Sequence, residues 1–223
     1  IQKKTGFFIF PEVFLMPRNQ YVSPAVIHRL PRYYRYLGML LQEGCVRISS
    51  KDLAERMRLT ASQIRQDLNC FGGFGQQGYG YNIEILRSEI GRILGLEQNF
   101  SIIIIGAGNL GRAFASHMPF ADAGFHLSGI FDNNPDLIGQ KMFGFSVMDS
   151  ELLDDFCRQK KVDAAALCVP SAAAITLTKR LITAGVNAFW NFTNYDIGAY
   201  YADVHVENVH LSDSLMSLCY QLN

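Results

Sequence analysis

The 223-residue chain is 49% hydrophobic and 18% charged, with a formal net charge of zero. This composition is typical of an ordinary globular protein with one large domain or two modest ones. No segment reaches the roughly 18 to 20 unbroken apolar residues that cross a bilayer, so the sequence excludes an integral membrane protein and predicts no membrane partner.

The zero net charge conceals an uneven distribution along the chain. Residues 16–97 carry 11 basic and 7 acidic residues, whereas residues 98–223 carry 7 basic and 12 acidic residues. A basic first part joined to an acidic second part favours DNA binding at one end of the protein.

The N-terminal segment and the cysteines bear on where the protein works. Residues 1–15 are apolar and aromatic, but Pro11 and Glu12 interrupt the run and no cleavage site for a signal peptide follows. Met16 resembles a natural start, so we interpret residues 1–15 as an N-terminal extension. The five cysteines are odd in number and widely spaced, which predicts reduced thiols and a cytoplasmic location.

Two helices are predicted after this extension. Apolar residues near helical spacing predict a first helix over residues 23–43, with Pro31 able to open its main part and Gly44 ending it. A second helix is predicted over Ser50–Met57, where Ser50 can act as the N-cap.

A third helix follows a tight turn and has a polar face. Thr60 and Gln63 have the spacing of a capping box, and the apolar pattern that follows predicts a helix from about Ala61 to Phe71. Its other face carries side chains of the kind that bind base edges and phosphates in a major groove. The predicted DNA-contacting residues are Lys51, Thr60, Ser62, Gln63, Arg65, Gln66, Gln77, Gly78 and Tyr79.

The stretch from Gly72 to Tyr81 is rich in glycine and aromatic residues. After two helices and a turn, such a stretch suits a hairpin wing whose glycines approach a sugar-phosphate backbone closely. The residues alone leave two readings open, a winged-helix DNA-binding domain and a purely structural helical domain. One more amphipathic helix, which Gly95 ends, and a short polar link complete this part of the chain.

A dinucleotide-binding fingerprint opens the second part. The buried-strand pattern Ser101–Ile105 leads directly into a GxGxxG motif, after which helical residues follow. In this motif Gly106 makes the tight turn, Gly108 lets the backbone approach a pyrophosphate, and Gly111 lets the helix pack on the strand. The predicted cofactor-binding loop is Gly106, Ala107, Gly108, Asn109, Leu110 and Gly111.

A carboxylate stands where such folds bind the adenosine ribose. Asp132 ends the predicted strand Leu127–Phe131, 21 residues after Gly111. With Asn133 and Asn134 beside it and no arginine nearby, a 2′-phosphate would be repelled, which predicts NAD(H) rather than NADP(H). The alternative is that Asp132 merely starts the turn formed by residues 133–135.

Further strands are predicted at Ala164–Val169 and Val186–Phe192, with helices near Glu151–Gln159 and Ser171–Ala184. The alternation predicts an α/β Rossmann domain, a doubly wound parallel sheet that binds ligands at the carboxyl ends of its strands. Additional cofactor-binding residues, expected near the nicotinamide, are Val169, Pro170, Asn191 and Phe192.

Several motifs in order make the chain resemble one family over roughly residues 23–223, the Rex redox-sensing repressors. The matching elements are Arg29-Leu30-Pro31-Arg32-Tyr33-Tyr34-Arg35-Tyr36-Leu37, Ile64-Arg65-Gln66-Asp67, Phe71-Gly72 with Gly78-Tyr79-Gly80-Tyr81, Gly106 to Gly111, Val169-Pro170 and Asn191-Phe192-Thr193. The resemblance implies a homodimer whose C-terminal helix, about Leu211 to Leu222, swaps onto the partner. It also implies binding to inverted-repeat double-stranded operator DNA in the NAD-bound or apo state and release by NADH.

Five positions depart from the pattern of that family: Gln66, the wing residues Gln76 and Gln77, where a lysine is common, and His117 and His210. Members usually carry a second arginine where this chain has Gln66, which predicts fewer phosphate contacts and a shallower salt dependence of DNA binding. Some members pair a tyrosine of the first Rossmann helix with an aspartate of the partner's C-terminal segment, and here His117 and His210 stand at those positions. We expect a redox response that is weakened or dependent on pH.

Two other functions remain open from the sequence. An NAD-dependent dehydrogenase would need a proton-transfer group near the nicotinamide, for which His117, His205 and Tyr195 are candidates, but about 110 residues leave little room for a catalytic lobe. A paralogue that does not sense redox state is the second alternative. The favoured interpretation is a repressor with no catalytic residues and no metal.

The expected organisation has four parts. Residues 1–15 form the extension, 16–97 a winged helix-turn-helix DNA-binding domain, 98–209 an NAD(H)-binding Rossmann domain, and 210–223 a swapped dimerisation helix.

Overall fold

The structure, a computed structural model, describes residues 22–72, 74 and 79–222, and the chain divides into two compact units after Leu94. The predictions for residues 1–15 and for Gln77 and Gly78 lie outside the described residues. The expected boundary at residue 97 falls between the last helix of the first unit and the first strand of the second.

The described residues of the first unit form four helices and two short strands. Its elements in chain order are α1 Pro24–Gln42, β1 Arg47–Ile48, α2 Ser50–Met57, α3 Ala61–Asn69, β2 Tyr81–Asn82 and α4 Ile83–Leu94. Helix α1 runs without a break through Pro31, so the prediction that Pro31 opens the helix is wrong; Pro24, at the start of the helix, has that position. Gly44 ends α1 in the left-handed conformation, as predicted.

The starts of α2 and α3 show which hydroxyls act as caps. Ser49, not Ser50, caps α2: its backbone is extended and its Oγ accepts a hydrogen bond from the Asp52 N–H at 3.0 Å. Ser50 is already helical, so its hydroxyl does not reach that N–H. Thr60 caps α3 as predicted, since its Oγ1 accepts from the Gln63 N–H at 3.1 Å.

The helices of the first unit enclose one apolar core. Tyr33, Leu37, Met57 and Ile64 are fully buried in it, as expected from one apolar stripe on each helix. Strand β2 pairs antiparallel with β1, with Ile48 opposite Tyr81. Most of the predicted wing between residues 72 and 80 falls on residues that the structure does not describe.

The second unit is a seven-stranded sheet with helices on both faces. Its strands are β3 Phe100–Ile105, β4 Phe125–Asp132, β5 Lys141–Met142, β6 Phe145–Asp149, β7 Ala164–Leu167, β8 Ala188–Asn191 and β9 His205–Asn208. Its helices are α5 Asn109–His117, α6 Leu153–Gln159, α7 Ser171–Thr183 and α8 Leu211–Leu222, with single 3₁₀ turns at Ala121–Ala123 and Ser150–Leu152.

The strand order is β5-β6-β4-β3-β7-β8-β9, and all neighbours are parallel except β5 and β6. The chain crosses from one side of β3 to the other between β4 and β7, so a crevice opens beyond the carboxyl ends of β3 and β7. The doubly wound parallel sheet predicted from the sequence is confirmed.

Alternating residues of β3 fill the two cores of this unit. Ile103 and Ile105 pack with Leu153 of α6 and Leu181 of α7, whereas Ile104 faces the side that carries Phe114 of α5. This alternation is the period of two that a strand buried on both faces requires.

Strands β5, β6 and β9 were not predicted. Only Met142 of β5 and Val147 of β6 are buried, and no residue of β9 is. These short strands therefore lack the unbroken apolar run by which β3 is recognised.

Helix α8 has no buried residue within this chain. Its exposed apolar side chains are Leu211, Leu215, Met216, Leu218, Tyr220 and Leu222. Over the part of the chain that the structure describes, no helix has both the length and the apolar character that crossing a bilayer requires.

Candidate DNA-binding face and nucleotide cleft

Asp67 is the polar centre of the first unit. Its side chain is 1% exposed and accepts hydrogen bonds from Arg29 Nε at 2.6 Å and Nη2 at 2.8 Å, from the Tyr33 hydroxyl at 2.7 Å and from Gln63 Nε2 at 2.8 Å. Burial by itself raises the pKa of the Asp67 carboxyl, but these hydrogen bonds outweigh it and hold the pKa below its ordinary value. The cluster ties α3 to α1.

The cluster was not predicted, although Arg29, Tyr33 and Asp67 stand in the motifs that carry the family resemblance. The sequence signal that could have revealed the cluster is an aspartate on the apolar side of α3, between Ile64 and Leu68, where an unpaired charge would be costly. A buried carboxylate requires a cationic partner, and Arg29 supplies it through two nitrogens.

The outward face of α3 carries the predicted DNA contacts. Ser62, Arg65 and Gln66 are exposed, and Arg65 Nη1 donates to Ser50 Oγ at 3.0 Å, which orients the guanidinium. Gln63 is half-buried, because its amide nitrogen is held by Asp67. Its side chain therefore does not turn back to complete the predicted capping box.

The remaining predicted DNA contacts lie before and after α3 in the sequence. Lys51, in the first turn of α2, and Thr60 are exposed, and Tyr79 is 70% exposed. Arg47 of β1 is also exposed, and its Nη1 donates to the Tyr79 carbonyl oxygen at 3.5 Å. Sequence reasoning missed Arg47, which the basic character of a short strand beside the glycine-rich stretch could have indicated.

The three motif glycines of the second unit differ in how much room surrounds their backbone. Gly106 has φ +101°, and a Cβ there would lie 2.5 Å from the Cys168 carbonyl oxygen. A Cβ at Gly111 would lie 1.8 Å from the Gly106 carbonyl oxygen, so α5 packs against the loop only if this residue is glycine. A Cβ at Gly108 would meet nothing within 4 Å, which leaves open space where a ligand can approach the backbone.

A cavity of about 480 Å³ opens beside this loop, at the carboxyl ends of the strands. Its size suits a small-molecule cofactor. Of the predicted residues it is lined by Gly106, Gly108, Asp132, Val169 and Pro170, and its other lining residues are Ile105, Phe131, Asn133, Ser150, Glu151, Cys168, Ala173, Thr176, Leu177 and Arg180. The structure thus brings the glycine loop, Asp132 and Val169-Pro170 together around one space.

Asp132 also supports the loop beside it. Its Oδ2 accepts from the Ala107 N–H at 2.6 Å and its Oδ1 from the Asn134 N–H at 2.8 Å. The turn that was the alternative explanation of Asp132 therefore exists, and the same carboxylate lines the cavity. Each carboxylate oxygen has a second lone pair that can accept from a ribose hydroxyl.

Ala107, Asn109, Leu110, Gly111, Asn191 and Phe192 do not line this cavity. The Asn191 side chain is fully buried: its Nδ2 donates to the Tyr195 carbonyl and to Asn208 Oδ1, and its Oδ1 accepts from the Thr193 backbone and hydroxyl. The Phe192 ring packs at a tilt against Phe114 and edge-on against Trp190 of the same unit. These residues support the loop that follows β8.

Arg180 of α7 was not predicted from the sequence. It donates from Nε at 3.0 Å and from Nη2 at 2.7 Å to Asp154 Oδ2, and from Nη2 to the Glu151 carbonyl at 3.3 Å. The hydrogen bond to Asp154 raises the pKa of the guanidinium further, so Arg180 is charged at every physiological pH.

Comparison with known proteins agrees with both units. The family described as "Putative DNA-binding protein N-terminus" matches residues 21–69, and the family described as "CoA binding domain" matches residues 97–195. The redox-sensing transcriptional repressor Rex of Thermoanaerobacter sp. (strain X514) is 53% identical over 208 residues, which cover 93% of this chain and 92% of the relative. Rex of Clostridioides difficile (strain 630) is 50% identical, covering 91% of this chain and 96% of the relative.

The chain belongs to the Rex family of redox-sensing transcriptional repressors. The fold agrees: RSP in complex with β-NAD⁺ and operator DNA has a TM-score of 0.86 at 53% identity, covering 92% of this chain and 94% of that chain. RSP in complex with β-NADH has a TM-score of 0.84 at 50% identity, covering 92% and 95%. The family resemblance inferred from the sequence is confirmed, and Rex proteins are repressors rather than the dehydrogenases of the alternative interpretation.

The two histidines at the departing positions of this Rex chain occupy different environments. His117 is the last residue of α5, is exposed, and contacts the Ser116 hydroxyl through Nδ1. His210 directly precedes α8, and its Nε2 is buried with no hydrogen-bond partner among the described residues. The five cysteines are all free thiols, as expected.

Proposed function

We propose that this chain represses transcription by binding inverted-repeat operator DNA through its first unit, and that NAD(H) bound in the second unit controls this binding. NADH favours a state that releases DNA, whereas the apo and NAD-bound states bind it. The observation that carries the proposal is the presence in one chain of an exposed arginine and glutamine face on a capped helix and of a glycine-loop cleft closed by Asp132.

The DNA contacts divide into two kinds. Ser62 and Gln66 of α3 are assigned to base edges. Arg65 of the same helix is assigned to the phosphate backbone, as are Lys51 and Tyr79, which flank that helix in the sequence. Gln77 and Gly78 are assigned to the same backbone from the sequence alone. Thr60 and Gln63 orient α3, since one caps it and the other is held by Asp67.

The residues around the cavity fit NAD(H). The open space at Gly108 and the N-terminus of α5 suit a pyrophosphate, and Asp132 suits the adenosine ribose and repels a 2′-phosphate. The dinucleotide acts as a ligand that shifts an equilibrium between a state that binds DNA and a state that releases it. NADH and NAD⁺ must therefore differ in their relative affinities for these two states. Asn109, Leu110, Ala107, Gly111, Asn191 and Phe192 are assigned to holding the loops that meet the cofactor.

We further propose a cytoplasmic homodimer. The apolar side chains of α8 are exposed along its whole length, a surface that a stable protein covers with a partner. Residues 210–223 would supply this helix to a second copy, with residues 16–97 binding DNA and residues 98–209 binding NAD(H).

Fluorescence anisotropy of the purified protein on a labelled inverted-repeat operator tests the proposal, with NADH and NAD⁺ titrated separately at fixed salt and pH. We expect release by NADH and not by NAD⁺. Asp132→Asn serves as the cofactor-site variant and Glu97→Gln, an exposed residue outside the cavity, as its matched control. DNA binding that neither dinucleotide changes would identify a paralogue without redox sensing. Absence of specific DNA binding would refute the proposed function as a repressor.

The histidine pair gives the proposal a pH test. Two imidazole rings can share a hydrogen bond while at least one of them is neutral, whereas two protonated rings repel each other, so we assign His117 and His210 to a dimer contact sensitive to pH. The NADH concentration that releases half of the DNA should then vary between pH 6 and 8, and His210→Asp should weaken that variation. An NADH response of His210→Asp equal to that of the parent protein across this range would contradict the assignment.

A further inference from the structure

Two charged side chains that the proposed function has not used lie in the wall of the nucleotide cavity. Glu151, in the 3₁₀ turn after β6, and Arg180 of α7 both line it. Glu151 Oε1 and Arg180 Nη1 are 4.0 Å apart, so a hydrogen-bond acceptor and a hydrogen-bond donor stand side by side.

Arg180 is held so that one of its nitrogens remains available. Nε and Nη2 are both engaged by Asp154, and Nη2 also meets the Glu151 carbonyl. No hydrogen bond among the described residues uses Nη1. A planar guanidinium fixed along one edge presents its remaining N–H groups in a defined direction, which is the geometry needed to recognise another planar group.

The sheet places this pair on the adenosine side of the cavity. In the register of β4 and β6, Asp132 is directly opposite Asp149, and Asp149 Oδ1 caps the turn by accepting from the Glu151 N–H at 2.9 Å. Glu151 therefore lies two residues after Asp149, at the end of the strand next to the one that ends in Asp132, the residue assigned to the adenosine ribose. The base attached to that ribose is therefore the planar group of the dinucleotide that we expect beside Glu151 and Arg180.

We propose that Glu151 and Arg180 recognise the purine of the bound dinucleotide: the 6-amino group of adenine donates to the Glu151 carboxylate, and a neighbouring ring nitrogen accepts from Arg180 Nη1. This inference rests on the proposed binding of NAD(H) and adds a selectivity to it. Asp132 selects against a 2′-phosphate, and the pair selects adenine against a 6-oxo purine, because a carbonyl oxygen at that position faces the Glu151 carboxylate without a proton between them.

The test compares NADH with reduced nicotinamide hypoxanthine dinucleotide, which carries a carbonyl oxygen in place of the 6-amino group and a proton on the adjacent ring nitrogen. Titration calorimetry on the intact protein measures both dissociation constants. We expect NADH to bind about tenfold tighter, the ratio that corresponds to losing one hydrogen bond to a charged group and leaving an acceptor unpaired. Equal affinities would overturn the inference.

The variant Glu151→Gln assigns the selectivity to its residue. A glutamine amide can turn its nitrogen towards a carbonyl oxygen, so the preference for adenine should fall to about onefold or reverse, while Glu97→Gln should keep the tenfold preference. A preference that persists in Glu151→Gln would remove Glu151 from the recognition of the base.

The outcomes separate this inference from the proposed function. Binding of both dinucleotides with equal affinity refutes the selectivity alone and leaves NAD(H) sensing intact. Failure of either dinucleotide to bind the parent protein refutes the NAD(H) site and the inference together. Since the first comparison needs no variant, it does not depend on how any substitution affects folding.

Discussion

The two units prepare their functional surfaces in opposite ways. In the first unit a buried ionised side chain, Asp67, holds α3 against α1 and leaves the polar face of α3 outside. In the second unit the site exists because side chains are absent, at Gly106, Gly108 and Gly111. A surface that presents side chains needs a rigid support beneath it, whereas a site that binds through backbone groups needs room.

The comparison predicts where substitutions are tolerated. In the first unit the exposed contacts can change with little effect on stability, and the buried cluster cannot. In the second unit the support and the site are the same atoms, so one methyl group can affect both folding and binding.

The largest effect is expected for Gly111→Ala. The new Cβ would lie 1.8 Å from the Gly106 carbonyl oxygen, so the loop and α5 must separate, at a cost of about 3 kcal/mol in the free energy of unfolding. The single tryptophan, Trp190, lies in this unit. Urea unfolding followed by its fluorescence should therefore show a lower midpoint, and NADH binding should be lost.

Gly108→Ala is the matched control for that substitution. Its Cβ meets nothing within 4 Å, so the unfolding midpoint should stay close to that of the parent protein. NADH should still bind more weakly, because the methyl group occupies the space assigned to the cofactor. A midpoint as low as that of Gly111→Ala would show that crowding of the loop is not the cause.

The next effect is expected for Asp67→Asn in the first unit. The substitution leaves Arg29 without its charged partner in a half-buried position, which should cost about 3 kcal/mol. Amide hydrogen exchange should become faster in α1 and α3 and remain unchanged in the sheet of the second unit. Operator affinity should fall while NADH binding is retained; loss of both would mean that the units are not independent in this respect.

The lowered pKa of Asp67 predicts how the difference in unfolding free energy between the parent protein and Asp67→Asn depends on pH. A carboxyl whose pKa is lower in the folded state stabilises the fold at pH values above its unfolded pKa of about 3.9, and this contribution is lost as the pH falls through the folded value. The gap in unfolding free energy between the parent protein and Asp67→Asn should be complete at pH 6 to 7 and narrow below about pH 4. A gap that stays constant down to pH 2 would contradict the ion pair.

The smallest effect on stability is expected for Arg65→Gln. Arg65 is exposed and makes one surface hydrogen bond, so unfolding should change by less than about 0.5 kcal/mol. If its guanidinium neutralises a phosphate, the slope of log affinity against log salt should decrease by about one unit. Arg92→Gln, at an exposed residue of α4 that pairs with Glu89, should leave that slope unchanged.

Much of the fold could be predicted because its signals are local. The apolar stripe of α2 yields its observed bounds, although its cap is Ser49 rather than Ser50. Strand β3 with its glycine loop is a continuous pattern of six apolar or small residues followed by a fixed motif. Strand β9 escaped prediction because an exposed edge strand needs no apolar run. Each residue of β9 pairs with a residue of β8 that lies 17 positions earlier in the sequence.

The same distinction between local signals and contacts of distant segments applies to the site. By itself the sequence determined the glycine loop, Asp132 and the polar face of α3, because each depends on residues close together in the chain. Only the tertiary structure decided that Asp67 binds Arg29, 38 residues away, that Asn191 is saturated inside the protein, and that Glu151 and Arg180 meet in the wall of the cavity. Contacts between distant segments follow from packing and strand register, and no local pattern of residue types encodes them.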